Sequence, residues 1–401
     1  MRQSKAAVAF INIGHSVDHM FMLIFPTAVL GMGAEFGRSF GELLALSLGG
    51  FIAFGAGSLP AGWLGDRWSR RNMMAVFFLG IGAAAVLTGF SRSPFALAAG
   101  LTLIGLFAAI YHPVGTAMLV AHADKLGHAL STNAVWGNFG VAFAALMTGA
   151  LTEWLGWRYA FIVPGALALL IGLGFMALVP KTGRAVARKT GHSRGAIPRA
   201  VVVRAFLVLA VVTVAGGVVF NAITVSLPKL FDERLAVLTG SSLGIGALVA
   251  AVYTVGAVAQ LLVGRYVDRH PLKTVFIPLA LLQAPCLLLA AYSTDWLLVG
   301  LAAGVVFAIF GQVVINDAMV ARYTDDHWRA RAYSVRYLVS FGASAAAVPL
   351  VALIHGGAGG FGETYLVLAG FGLAVFLGAL AFPHRPDELM PVPRPEAQPA
   401  E

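Results

Sequence analysis

Two imidazoles and a carboxylate fall within five residues of the apolar stretch INIGHSVDHMFML, at His15, Asp18 and His19. Ionisable side chains are costly in such a stretch and are kept there to handle ions, protons or polar solutes. At about 100° per residue, Asn12, His15, Ser16 and His19 form one polar face of a helix, with Asp18 at its edge. A histidine beside a carboxylate can exchange a proton near neutral pH. The same i, i+3, i+4 spacing could instead offer two imidazoles and a carboxylate to a divalent metal ion. Both chemistries stay open at this point.

Other apolar stretches carry polar residues of their own. IYHPVGTAM holds Tyr111 and His112, and STNAVWGNFG holds Asn133 and Trp136. Asn221 and Thr224 lie in a later stretch, followed by Gln312, Asn316 and Asp317, then Arg336 and Tyr337. Of the 18 acids, only Asp18 and Asp317 lie clearly inside such stretches. Asp18, His15, His19 and Asp317 are therefore the expected proton-coupling groups. Asn12, Tyr111, His112, Asn133, Trp136, Asn221, Thr224, Gln312, Asn316, Arg336 and Tyr337 are the expected solute-binding groups. Competing structural roles exist: His112 precedes Pro113 and could bond a carbonyl freed by a kink. Asp317 could pair with Arg322, and Arg336 could serve a gate or an anion.

What must position these residues follows from composition. The 401 residues are 59% hydrophobic and 11% charged, with a mean hydropathy of +0.84. A soluble domain carries about 25% charged residues, so this chain cannot cover a water-facing surface and reads as a polytopic membrane protein. Windows of about 20 apolar residues mark spans near 6–31, 41–64, 72–90, 95–121, 129–152, 158–179, 202–230, 241–264, 273–291, 295–321, 331–354 and 362–382. The net charge of +9 could suggest nucleic acid, but its distribution follows the positive-inside rule. Most Lys and Arg fall on one side, in clusters such as Arg67, Arg70, Arg71 and Arg265, Arg269, Lys273. That orients both termini to the cytoplasm of an inner (plasma) membrane, and no nucleic-acid partner is expected. Cys286 is the only cysteine, which excludes an internal disulfide. The N-terminal apolar run has no small-residue cleavage site and reads as a retained first span.

Residues 181–200 hold the longest polar stretch between spans and are expected to be a cytoplasmic linker. They divide a six-helix bundle at 1–180 from another at 201–382. Residues 383–401 form a proline-rich tail, expected to be disordered. The halves repeat: Pro26 matches Pro228, and Gly62 and Asp66 match Gly264 and Asp268, all at an offset of 202. Ala117-Met118 matches Ala318-Met319 at 201, and His128-Ala129-x-Ser131 matches Arg331-Ala332-x-Ser334 at 203. Six helices per half give both halves one orientation, related by an axis along the membrane normal. Asp18 matches Phe220, His19 matches Asn221 and Asp317 matches Thr116. Scaffold residues should repeat between halves; these do not, and they suit a lopsided site.

GWLGDRWSRR, Gly62 to Arg71, resembles the loop 2–3 signature G-x-L-G-D-R-x-G-R-R of the major facilitator superfamily, with Ser69 replacing one glycine. GRYVDRHPLK, Gly264 to Lys273, resembles its degenerate second copy. IYHPVGTAM and the His–Asp–His of span 1 are similar to the fosmidomycin-resistance branch of that superfamily. The resemblance implies an all-α fold of twelve transmembrane helices in two pseudo-symmetric bundles, with spans 1, 4, 7 and 10 lining a central cavity. It also implies a conformational latch of Gly62, Asp66, Arg67, Arg70, Arg71, Asp268, Arg269 and Arg331. In that latch Asp66 meets the positive end of span 11 only while the cytoplasmic side is shut. Arg67, Arg70 and Arg71 are expected at anionic headgroups.

The implied function is proton-coupled secondary transport of a small organic solute by a monomer among membrane lipids, with export of a drug-like or anionic metabolite preferred. Span 5 lacks the Gly-Pro signature of many drug exporters, which keeps uptake by symport as an alternative. A divalent metal transporter using His15, Asp18 and His19 is another, and a membrane sensor with a transporter fold is a rival of a different class. Without a Walker loop, a His/Cys box or a nucleophile elbow, neither an enzyme nor a resident cofactor is expected.

Overall fold

The computed structural model describes residues 2–122, 126–180, 198–324, 326–357 and 359–384. Twelve long helices account for the expected spans: α1 Arg2–Ala28, α2 Leu48–Leu64, α3 Arg70–Gly89, α4 Pro94–His122, α5 Leu126–Leu155 and α6 Tyr159–Leu178. The second half supplies α7 Arg199–Arg234, α8 Ser242–Val267, α9 Leu272–Ala290, α10 Asp295–Tyr323, α11 Asp326–His355 and α12 Gly360–Ala381. Among the described residues, 11 helical segments are long and apolar enough to cross a membrane. One of them, Phe40–Gly89, runs for 50 residues. At 1.5 Å per residue that is far longer than a hydrocarbon core of about 30 Å, so it crosses twice, turning at a π-helical segment over Gly65–Ser69.

Short polar side chains start several helices. Ser39 and Glu42 form a reciprocal capping box ahead of α2, while Ser93 caps α4 with Pro94 in the first turn. Ser69 caps α3 and Ser241 caps α8. Each satisfies amide groups that have no carbonyl partner within the helix. At the opposite helix ends the work falls to basic residues. Arg71 donates to the Val179 and Met176 carbonyls at 2.9 and 2.6 Å, closing the end of α6. Lys273, at an offset of 202 from Arg71, donates to the Leu380 carbonyl at the end of α12 at 2.7 Å. The repeated hinge motif thus repeats a structural duty: its last basic residue ties the third helix of each bundle to the sixth. Arg71 thereby has a structural duty beside the expected headgroup role.

Helix pairing repeats in the same way. α1 packs on α5, α3 on α6, α3 on α4 and α2 on α4; in the second half α7 packs on α11, α9 on α12, α9 on α10 and α8 on α10. The two bundles then meet along two equivalent seams, α5 with α8 and α2 with α11. One apolar core lies within the first bundle. Another lies in the second bundle and takes in Leu44, Phe51, Val141 and Ala145 from the first. At one end of the first bundle Arg158 grips Glu35 at 2.5 and 2.7 Å and also the Ser91 carbonyl. The guanidinium beside it holds the Glu35 carboxyl well below the usual carboxylate range, at about 2.

The α5–α8 seam is tight at one end. A Cβ added to Gly149 of α5 would lie 2.3 Å from the Ser242 carbonyl oxygen of α8, and one added to Gly246 would lie 2.4 Å from that of Ala145. One added to Gly41 would lie 2.8 Å from the Ala352 oxygen of α11. Midway, Asn138 donates to Gln260 at 2.5 Å. One turn further along the same face of α8, an added Cβ at Gly264 has no atom within 4 Å among the described residues. Along this face α5 and α8 therefore touch at the Gly149 end, and among the described residues nothing covers Gly264, toward the end that carries Asp66 and Asp268. Other glycines of α2 and α5 serve packing within a bundle: Gly49, Gly50 and Gly57 face α4, and Gly137 and Gly140 face α1.

Candidate functional site

α1, α4 and α5 bring the sequence-predicted polar residues of the first half together. α4 is not a regular helix: at Tyr111–Gly115 it widens into a π-helical turn containing Pro113. Such turns interrupt the backbone ladder and re-aim side chains. Here the turn projects Tyr111 and His112 toward α1. Tyr111 is fully buried, stacks on His15 with centroids 5.0 Å apart and donates to the Ile11 carbonyl at 3.0 Å. Asn133 of α5 donates to Asn12 at 3.0 Å and to the Tyr111 hydroxyl at 2.9 Å. Three helices are thereby joined by one polar network. The Ser16 hydroxyl donates to the Trp136 carbonyl at 2.5 Å, leaving the indole of Trp136 partly exposed.

His15 Nδ1 lies 2.7 Å from the Asn133 carbonyl oxygen. A carbonyl can only accept, so His15 carries a proton on Nδ1 and, as a neutral ring, presents a lone pair on Nε2. His15 Nε2 lies 3.1 Å from His19 Nε2. The His112 ring meets both edge to face, with centroids 5.5 and 5.6 Å away. Nitrogens of His15, His19 and His112 all lie within 4.8 Å of one another. Asp18 is fully buried, with Oδ2 at 3.3 Å from His112 Nε2. That is ion-pair range, and among the described residues neither Asp18 oxygen has a further hydrogen-bond partner. The sequence pointed to His15, Asp18 and His19 as a group; the π turn is what adds His112. Gly137 makes the approach of α5 feasible, because an added Cβ there would lie 2.7 Å from His15 Nε2.

The second half contributes less to such a cluster. Asn221 donates to the Gly217 carbonyl of its own helix at 2.9 Å, and the Thr224 hydroxyl donates to the Asn221 carbonyl at 3.0 Å. Gln312 turns into the bundle and donates to Gln283 at 2.7 Å. Asn316 keeps a buried Oδ1 with no hydrogen-bond partner among the described residues. Asp317 pairs with Arg336, which is 8% exposed, while Arg322 donates to the Val267 carbonyl at 2.6 Å. Arg336 also borders a largely apolar cavity of about 600 Å³ with Phe206, Leu209, Thr213 and Tyr323. The side chain of Tyr337 lies outside the described residues.

The hinge residues are arranged as follows. Asp66 pairs with Arg70 at 2.8 Å along its own helical turn, Arg67 sits over the Trp63 ring at 4.9 Å, and Gly62 packs on Pro113. Asp268 and Arg269 are exposed. The Arg331 side chain, like most of residues 181–200 and the tail from 385, lies outside the described residues. Polar contacts that the sequence reading passed over include Asn138 with Gln260 and Gln283 with Gln312. At the tight end they include Glu233 with His355 at 3.0 Å and Glu153 accepting from the Leu243 amide at 2.8 Å. Amide side chains at 138, 260, 283 and 312 inside apolar spans were the available signal.

Comparison with known proteins bears on this arrangement. The Major Facilitator Superfamily profile matches residues 11–252 and 235–400. The puromycin resistance protein pur8 of Streptomyces alboniger is 35% identical over 141 residues, which are 34% of this chain and 28% of that protein. The chain thus aligns with little more than a quarter of the relative's length. Among solved structures, a bacterial homologue of the human lysosomal transporter Spinster, inward-facing and unoccupied, superimposes with a TM-score of 0.77. Identity is 13%, over 95% of this chain and 98% of that one. The inward-facing, occupied form gives 0.73 at 14% identity, over 94% and 95%.

Proposed function

The chain belongs to the Major Facilitator Superfamily, and from that premise we propose that it exports a small organic solute by alternating access, driven by protons. The observation that carries this reading is the contrast between the two ends of the seam. Gly149 and Gly246 bring α5 and α8 into backbone contact, while among the described residues nothing lies against Gly264. A central site between two such bundles is reached from one side at a time. The basic clusters Arg67, Arg70, Arg71 and Arg265, Arg269, Lys273 put the open end in the cytoplasm, so this state receives solute from inside.

Asp18 and His112 are the assigned proton site, with His15 and His19 completing the relay and Asp317 beside Arg336 as a secondary group. Tyr111, Asn133, Asn12 and Trp136 from the first bundle, and Asn221, Thr224, Asn316 and Arg336 from the second, form the assigned solute wall. Asp66, released to pair with Arg70 in this state, is the latch that re-forms on closure, with Asp268 as its counterpart. Export is favoured over uptake because a relative is named for resistance to puromycin, and lowering the internal concentration of a drug gives resistance.

The test uses everted membrane vesicles with an acidified lumen, reported by a pH-sensitive dye. Puromycin is the first solute, followed by a panel of amphipathic drugs and organic anions. Proton release on adding a solute, lost in Asp18→Asn, is expected. Solute accumulation that proceeds unchanged in Asp18→Asn removes the proton assignment. Accumulation only in right-side-out vesicles reverses the direction.

A further inference from the structure

We infer that His15, His19 and His112 form a binding site for one divalent transition-metal ion of the borderline class, such as Zn²⁺ or Co²⁺. The inference rests on the nitrogen geometry and needs neither the export reading nor its direction.

Four observations converge. Nitrogens of all three imidazoles lie within 4.8 Å of one another, and two of them, His15 Nε2 and His19 Nε2, are 3.1 Å apart. With metal–nitrogen bonds of about 2.0–2.1 Å, two ligands on a tetrahedral ion stand about 3.3 Å apart, so this pair already has the bite. His15 then gives its other ring nitrogen to the Asn133 carbonyl at 2.7 Å. That outer contact fixes the tautomer and turns a lone pair inward, the usual support of a metal-bound histidine. Asp18, fully buried and with no hydrogen bond to either oxygen among the described residues, lies 3.3 Å from His112 Nε2, where a bound cation would favour its carboxylate form. A buried carboxylate left so bare is costly, and a cation beside it removes the cost. Three neutral imidazoles and one carboxylate suit zinc and cobalt better than calcium or magnesium, which prefer oxygen.

A purely structural use of these rings would not require three of them to converge. Tyr111 and Asn133 already tie α1, α4 and α5 together. The two ligand-bearing segments also differ in kind: His15 and His19 come from a regular helix, His112 from a π turn. A site of this kind would respond to any movement of α4 against α1.

The full chain, purified without a histidine tag, is titrated with Co²⁺. The expected result is the visible absorption of a tetrahedral nitrogen-rich site, saturating at one equivalent and displaced by Zn²⁺. His19→Gln on α1 and His112→Gln on α4 should each weaken binding by at least about tenfold, while His270→Gln, an exposed histidine, leaves it unchanged. Absence of the band in folded wild-type protein, or undiminished binding in both cluster variants, overturns the inference. X-ray absorption of the Zn²⁺-loaded wild type covers the case in which a variant fails to fold. Outer-shell scattering from imidazoles is expected, and an oxygen-only shell rejects the site. A metal held by all three imidazoles would leave Asp18 as the proton carrier without the histidine relay, whereas transport of an organic solute is read separately by the vesicle assay.

Discussion

Asn133 is the residue on which the first bundle's polar interior converges. Its amide serves Asn12 and Tyr111, and its backbone carbonyl takes the proton of His15. Replacement by alanine keeps the carbonyl but removes the amide's bonds to Asn12 and Tyr111, leaving the Tyr111 hydroxyl its bond to the Ile11 carbonyl. Interhelical hydrogen bonds in membranes contribute modestly, so two lost bonds should cost about 1–2 kcal/mol. Asn221→Ala is the contrast, since that amide bonds only within its own helix and its loss should be nearly silent. Thermal unfolding of both variants in one detergent checks this: Asn133→Ala should unfold at the lower temperature, and equal midpoints would refute the convergence. The polar face of α1 was legible because a helix repeats every 3.6 residues and its neighbours are apolar. The partnership with His112 was not, since a π turn leaves no periodic trace and Pro113 alone suggests only a kink. Gln312 was readable as polar and intramembrane, but its turn toward Gln283 depends on a neighbour from another helix.

Glycine has different meanings along these helices, depending on which surface it faces. Gly105 of α4 lies against the Gly50 backbone of α2, where an added Cβ would come within 2.0 Å of the Gly50 oxygen. That contact is internal to one bundle. Gly246 of α8 lies against α5 of the other bundle, with an added Cβ 2.4 Å from the Ala145 oxygen. Gly105→Val should therefore fail to fold, because the first bundle cannot be assembled around it. Gly246→Val should fold, because each bundle is intact, yet lose at least about tenfold in transport, because its end of the seam can no longer shut. Gel filtration separates the two outcomes, and the vesicle assay measures the second. A folded and fully active Gly246→Val would dismiss the close seam as a requirement. Spans, hinges and the two-fold repeat were all legible from hydropathy and from matched landmarks such as Gly62 and Gly264. Which glycines meet which helix was not, because small residues look alike in sequence whether they face a partner bundle or a neighbour. The capping duty of Arg71 and Lys273 also escaped, since hinge charges read equally well as topology signals.

The two bundles meet closely along α5 and α8 at the Gly149 end and, among the described residues, leave Gly264 uncovered at the other, and a transporter must reverse that relation. The charge that can help it do so is Asp66, whose partner in this state is Arg70 one turn away. When the open end shuts, the carboxylate is proposed to exchange that exposed partner for the positive start of α11. A carboxylate at a helix N-terminus gains about 0.3–1 kcal/mol, which changes the ratio of shut to open states by about two- to fivefold. Asp66→Asn should remove that bias and leave the state described here more populated. Gly264 is the place to read it. It lies one turn past the Asn138–Gln260 contact on the face that meets α5, and an added Cβ there has nothing within 4 Å among the described residues. In a Cys286→Ala background, Gly264→Cys should accept a thiol reagent in the open state and lose access as α5 closes over it. Its labelling rate should rise by about two- to fivefold when Asp66→Asn is added, the ratio expected of a bond of that strength. Asp268→Asn should act in the same direction if the two halves carry equivalent latches. A rate indifferent to Asp66→Asn would show that the clasp contributes nothing to closure, and the repeated hinge would then be left with its capping role at Arg71 and Lys273 alone.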